Sequence, residues 1–259
     1  MTRLEQLLRR DQVVVVGALL FVTLLAWAYI FSGAGMDMGA GATDRMNMQM
    51  AWTPGYAMIV FLMWWIMMVA MMLPSASPTV LIFAKINRQR REAGKAFVAA
   101  GTFALGYLLV WGLFSAVATA VQWALVGSGV LSMAMASTNE TLSAAILIAA
   151  GLWQFTPLKK ACLKHCRSPF HFVVSGFRPG ELGALRMGME HGAFCLGCCW
   201  FLMALLFYGG VMNLFWIAGL AVYVLIEKTA PAGEWLGRLA GTGLIVWGCV
   251  LLVNLRFEG

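Results

Sequence analysis

Residues 55–73 read GYAMIVFLMWWIMMVAMML, nineteen positions without a charge, closed by Pro74. A bilayer hydrocarbon core about 30 Å thick is crossed by roughly 20 apolar residues in an α-helix. In lipid every backbone polar group must be satisfied within the protein, so a lone apolar segment of this length reads as a transmembrane helix and not as a strand. Working outward, six further apolar stretches have the same character, near 13–31, 96–123, 139–157, 190–209, 212–227 and 238–254. The expected fold is all-α, a polytopic transmembrane helical bundle of about seven spans. The sixth stretch is short, and Gly209-Gly210 joins it so tightly to the fifth that the two should form an antiparallel hairpin.

Hydrophobic residues make up 61% of the 259 positions and charged residues 11%, against roughly 25% charged in soluble domains. No polar stretch is long enough to build an independent core, so residues 1–259 form one integral membrane domain without a separate catalytic domain. With the amino terminus in the cytoplasm, the inside segments collect Arg3, Arg9, Arg10, Lys85, Arg88, Arg90, Arg91, Lys95, Lys159, Lys160, Lys164, Arg167, Arg178, Arg186, Lys228 and Arg238, leaving only Arg45 and Arg256 outside. That is the positive-inside distribution, and it recurs loop by loop. The net charge of +7 therefore reports topology. No basic patch is interleaved with aromatics, which argues against a nucleic-acid partner. Arg3, Arg9 and Arg10 before an apolar run, with small residues from Ser32 to Gly35, imitate a secretory signal, but the run from Val13 to Phe31 exceeds a signal core and an uncleaved first helix is expected.

The sulfur-bearing residues fall in three zones on this topology. A Met-rich outside loop, about 32–54, carries Met36 and Met38, then Met46, Met48 and Met50, separated by polar or acidic spacers. Thioethers are soft ligands that select Cu(I) and need no deprotonation; the competing reading is Met as apolar filler on a surface. Within the second span Met63, Met67 and Met71 recur at i, i+4 and i+8 beside a second row, Met68 and Met72. Such a stripe serves either core packing or a chain of weak Cu(I) sites. Pro74 and Pro78 follow it with Ser75 and Ser77, where a broken helix lining a cavity and a plain helix end both fit.

The third zone is expected at the cytoplasmic face. A Cys/His loop, about 158–189, carries Cys162, His165 and Cys166, and the fifth span opens with His191, Cys195, Cys198 and Cys199. The last four share one helical face, so imidazole and thiolates meet where a bilayer usually excludes polar groups. Lys159, Lys160, Lys164 and Arg167 would favour the thiolates of Cys162 and Cys166, the form that binds metal. A reducing compartment disfavours structural disulfides.

Other ionisable and polar positions have plainer readings. Glu190 either orients His191 or lies at the headgroups, Glu227 and Lys228 form a solvated end of the sixth span, and Glu140 suits a helix amino terminus. Cys249 reads as a small core residue and His171 as a surface histidine. Asn139-Glu140-Thr141 matches a glycosylation acceptor pattern. Gly188 with Gly192, and Gly237 with Gly241, have the spacing of close helix packing. No phosphate-binding loop, nucleophile elbow or paired-His hydrolase motif is visible.

The segment from Met67 to Pro74, the run His191, Cys195, Gly197, Cys198, Cys199, Trp200 and Met203, and Gly210-Val211-Met212-Asn213 with Trp216 resemble a bacterial family described as predicted metal-binding integral membrane proteins, a domain of unknown function. The resemblance covers most of the chain from about residue 55 onward. It implies metal binding in the bacterial inner membrane, with the lipid bilayer as surroundings, and names no metal. Softness of the ligands puts Cu(I) first, with zinc or iron as alternatives. The expected function is binding, transport or delivery of Cu(I), with a membrane cuproenzyme or a metallochaperone as candidate partner. Two other classes remain: a membrane thiol-disulfide oxidoreductase using Cys195 and Cys198, and a noncatalytic accessory subunit with a structural metal site.

Overall fold

The computed structural model describes residues 3–33, 52–92, 94, 98–131, 137 and 139–258. Among them all regular structure is helical, with one isolated bridge between Leu131 and Ser137. The elements are α1 (Arg3–Phe31), α2 (Pro54–Glu92), α3 (Ala100–Gly127), α4 (Glu140–Trp153), α5 (Pro157–Arg167), α6 (Pro169–Ser175), α7 (Glu181–Ala204), α8 (Leu206–Gly209), α9 (Leu214–Thr229) and α10 (Gly233–Glu258). Every apolar stretch read from the sequence is helical at its centre.

Five helical stretches are long and apolar enough to cross a membrane, and up to six if the bent pair α4 and α5 is one span. Sequence reading gave seven, and the difference has two sources. Helix α9 has 16 residues, about 24 Å at 1.5 Å per residue, short of the hydrocarbon thickness. Helix α4 stops at Trp153 and the chain turns by 64° into α5, whose start is made by Thr156 Oγ1 accepting from the Lys159 amide at 3.2 Å and by Pro157 in the first turn. The segment expected as a Cys/His loop is thus largely helical, formed by α5, α6 and the first turns of α7.

Helix α2 also departs from expectation, because it neither ends nor breaks at Pro74 but continues through Pro78 to Glu92. Pro78 cannot donate to the Pro74 carbonyl. Ser77 Oγ donates to that carbonyl instead, at 2.8 Å, and Ser75 Oγ donates to the Met72 carbonyl at 2.8 Å. The Ser77 hydroxyl therefore stands in for the ladder bond that Pro78 removes.

Helix α2 is the centre of the bundle and packs against α1, α3, α6 and α9, while α10 covers α4. Its two Met rows are wholly interior: Met63, Met67, Met68, Met71 and Met72 pack with Trp64, Tyr107 and Trp111 in one core that also contains Cys195, Cys198 and Cys199. The outer surface is apolar, with Phe21, Leu113, Val117, Phe215 and Trp247 exposed, as a lipid-facing surface requires. Cys249 belongs to that exposed surface and not to the core as expected. Two asparagines work as helix caps. Asn139 Oδ1 accepts from the Leu142 amide at 3.0 Å, and Asn213 Oδ1 accepts from the Phe215 and Trp216 amides at 3.1 and 3.3 Å.

The hairpin expected at Gly209-Gly210 is built. Gly210 adopts φ 92°, a left-handed conformation that favours glycine, and a Cβ on Gly209 would run into the Trp216 ring. Trp216 Nε1 closes the turn by donating to the Leu205 carbonyl at 2.7 Å.

Candidate metal centre

Close approach of α7 to α3 sets the site. A Cβ on Gly188 would collide with the Phe103 carbonyl, and one on Gly106 with the Leu185 carbonyl, so each glycine receives the other helix's backbone. Small residues allow this where lipid supplies no hydrophobic drive for association. Helix α7 opens after Gly180, which has φ 84°, and Glu181 is its first residue instead of a position near 190. Cys195 therefore lies 14 residues into the helix, about 21 Å along its axis, and not at a helix mouth. His191, Cys195, Cys198 and Cys199 are all buried on this helix.

Cys195 is the hub. Tyr107 OH on α3 lies 3.0 Å from its Sγ, and Lys228 Nζ on α9 donates to the same sulfur at 2.9 Å. Tyr107 OH also donates to the Met72 carbonyl at 3.2 Å, and Lys228 Nζ to Ser75 Oγ at 3.3 Å, which ties α2 to the group. Cys199 Sγ is 4.0 Å from Met72 Sδ. Cys166 on α5, partly buried, packs against the core that holds Cys195, Cys198 and Cys199. Three buried thiols, the partly buried thiol of Cys166 and one thioether, from α2, α5 and α7, thus gather, none in a disulfide.

The thiols do not all aim at one centre. Cys198 Sγ and Cys199 Sγ donate to the Cys195 carbonyl at 3.1 and 2.9 Å. Among the described residues no three His, Cys, Asp or Glu side chains are arranged to hold a metal ion as they stand. What the arrangement supplies is pairs of thiols with the Met72 thioether beside one of them, a donor set suited to a soft ion of low coordination number.

The remaining sequence candidates are placed differently. Cys162 lies against the backbone of Gly197, whose Cβ would come 2.8 Å from its Sγ. His165 is exposed, stacked on Phe194 with centroids 4.0 Å apart, and is not brought to the cluster. The His191 ring is enclosed by Phe103, Tyr107 and Phe172, and its buried Nδ1 has no hydrogen-bond partner. Glu190 does not orient that ring; it pairs with Arg178 at 2.7 Å. Met63, Met67 and Met71 are buried core residues. Met36, Met38, Met46, Met48 and Met50 lie outside the described residues.

Reading Glu227 and Lys228 as a solvated helix end was wrong, since they are 1% and 6% exposed. Glu227 Oε1 takes a 2.6 Å ion pair from Lys159 and a 3.3 Å hydrogen bond from Tyr223, and Lys159 also donates to Gln154 Oε1. Lys159 thereby serves α9 and is not directed to the thiols beside it in sequence. Burial follows from α5 docking on the α9 to α10 corner, where Arg167 Nη2 donates to the Ala230 and Pro231 carbonyls at 2.8 and 2.9 Å. Sequence reading also missed Tyr107 and the part played by Ser75. The usable signal was a Glu-Lys pair ending a span too short to reach both membrane surfaces, because an ionisable residue inside the bilayer points to a functional site.

Fold and site together define a protein that is all-helical in its described residues, with helices long and apolar enough to cross a membrane and a buried thiol cluster between them. The model of the PpoB2 family, described as a copper chaperone, matches residues 61–251, and the chain belongs to that family. The matched stretch contains Met72, Ser75, Tyr107, Cys166, Cys195, Cys198, Cys199 and Lys228, and leaves out α1 and the Met-rich segment. Copper is the metal this family names; zinc and iron find no support in it. Comparisons with curated proteins and with solved structures return no match.

Proposed function

We propose that this protein receives Cu(I) into the buried sulfur cluster and passes it to a membrane cuproenzyme or to a metallochaperone. The observation that carries the reading is the gathering of Cys195, Cys198 and Cys199 with Met72 in the helical core, with Cys166 packed against it. Thiolate and thioether sulfur favour Cu(I) over the harder ions, and burial of the cluster shields it from solvent. Cys198 and Cys199 give up their hydrogen bonds to the Cys195 carbonyl when they turn to the ion. His191, with an unpartnered buried nitrogen one turn from Cys195, is a further ligand within reach of a small rearrangement. Cys162 and Cys166 ride on α5, which packs on α7 and would form the exit side.

The wider scheme rests on the sequence. The Lys and Arg distribution supports a cytoplasmic amino terminus and a location in the bacterial inner membrane, with α9 and the bent pair α4 and α5 completing seven crossings. Met36, Met38, Met46, Met48 and Met50 would then meet Cu(I) outside, and the rows of Met63, Met67 and Met71 would pass it inward. The resemblance to predicted metal-binding membrane proteins supports the same reading.

Metal analysis of the anaerobically purified, reduced protein tests it, beside a variant with Cys195→Ser, Cys198→Ser and Cys199→Ser. Stoichiometric Cu(I) that the triple variant loses is the expected result. Equal copper in both proteins, or none in either, refutes the site.

A further inference from the structure

Lys228 is the one cation in contact with the thiol cluster among the described residues. The described ion pairs join Lys159 to Glu227, and Arg178 and Arg186 to Glu190. None of them takes Lys228. The neighbouring Glu227 carboxylate is engaged by Lys159, so these two charges cancel. Lys228 is left with Cys195 Sγ at 2.9 Å, Ser75 Oγ at 3.3 Å and no carboxylate. A buried ammonium held by a hydroxyl and a sulfur has only sulfur available as counter-charge, and an uncompensated charge in an apolar interior is costly.

Charge arithmetic then discriminates between cargoes. Two thiolates carry −2, Lys228 carries +1, and the Met72 thioether is neutral. A monovalent ion brings the cluster to zero, whereas a divalent ion leaves it at +1. A third thiolate would offset the second positive charge, but the thiols stand in pairs and no three such ligands converge among the described residues, so a divalent ion needs a larger rearrangement than a monovalent one. We propose that Lys228 is a specificity-determining residue which makes the cluster select a monovalent soft cation, Cu(I) or its analogue Ag(I), over a divalent one such as Zn(II). The inference rests on the copper reading above and adds the physical basis of its selectivity.

The full-length reduced protein in detergent is titrated with Cu(I), Ag(I) and Zn(II), each against a competing chelator, alongside Lys228→Met and Lys228→Arg. Lys228→Met keeps the stem and removes the charge. It is expected to weaken Cu(I) and Ag(I) at least about tenfold and to strengthen Zn(II) by a similar factor, because a buried charge left unpaired is penalised on either side of neutrality. Lys228→Arg is expected to keep the wild-type order of the three metals. Because exposed cysteines of an unfolded chain also bind Zn(II), the gain counts only in a Lys228→Met protein that keeps the wild-type thermal unfolding transition. Parallel loss of all three metals by Lys228→Met, or an unchanged ratio of Cu(I) and Ag(I) affinity to Zn(II) affinity, overturns the proposal. Should that variant fail to fold, Zn(II) held as tightly as Ag(I) by the wild-type protein overturns it without any substitution. Unchanged selectivity in Lys228→Met, while copper is still lost from the triple serine variant, refutes the role of Lys228 alone. Absence of Cu(I) and Ag(I) binding in the wild-type protein refutes both readings.

Discussion

Lys159 Nζ and the Glu227 carboxylate meet at 2.6 Å with both side chains almost wholly shielded from solvent. Taking two charges out of water is repaid only while each has the other, so removing one partner costs about 3–5 kcal/mol. Lys159→Met and Glu227→Gln should each lower the thermal midpoint in detergent strongly. The double change Lys159→Met with Glu227→Met should recover most of that loss. A double variant no more stable than the singles would show that the pair is not the source of the effect.

Helix α7 meets α3 where no side chain fits. Gly188→Ala must push the Phe103 carbonyl away, and overpacking of this kind costs about 1–3 kcal/mol. The same shift would draw Tyr107 from Cys195, so copper binding should fall with stability. Gly243, with nothing within 4 Å of its Cβ position, is the control: Gly243→Ala should be neutral or slightly stabilising through helix propensity. Thermal unfolding and metal content of the two variants separate packing from a general intolerance of alanine.

Met72 is a ligand candidate identified by position, with its Sδ 4.0 Å from Cys199 Sγ. Met72→Leu preserves volume and should cost less than about 1.5 kcal/mol in stability. If the thioether binds the ion, Cu(I) affinity falls about tenfold, or 1.4 kcal/mol. Chelator competition measures it, and an unchanged affinity would remove Met72 from the ligand set.

Thiol reactivity should follow exposure to water. All six cysteines are free, with Cys249 exposed, Cys166 partly covered and Cys195, Cys198 and Cys199 buried. A maleimide applied to the native protein in the membrane should modify partly covered Cys166 before the three α7 thiols, which react only after denaturation, while Cys249 on the lipid-facing surface stays unreactive because hydrocarbon disfavours the thiolate. Mass spectrometry of digested samples distinguishes the sites, and early modification of Cys195 would contradict the packing described.

Much of this was readable before any coordinates. The apolar stretches announced helices because lipid leaves the backbone few other solutions. Spacing put His191, Cys195, Cys198 and Cys199 on one side of a helix, and all four are interior. Gly188 and Gly192 announced a close crossing, which α3 fills. His165 was misjudged because spacing alone cannot tell which way a short amphipathic helix turns; its ring lies on Phe194 outside the cluster. Continuation of α2 past two prolines was hidden because the compensating groups, Ser75 and Ser77, look like ordinary helix-end residues.

By itself the sequence determined the all-helical character, the central Met rows and the thiol-bearing face of α7, all of which depend on local periodicity and on the chemistry of residue types. Only the tertiary structure decided what meets those thiols. Lys228 reaches Cys195 from 33 positions away and Ser75 from 153, and Tyr107 arrives from another helix 88 positions before Cys195. Periodicity specifies a face but not its occupant, because partners so far apart in the chain are set by which helices pack together. Here backbone contact between Gly106 and Gly188 and the docking of α5 over the end of α9 make that choice, burying a lysine that the sequence placed at a solvated boundary.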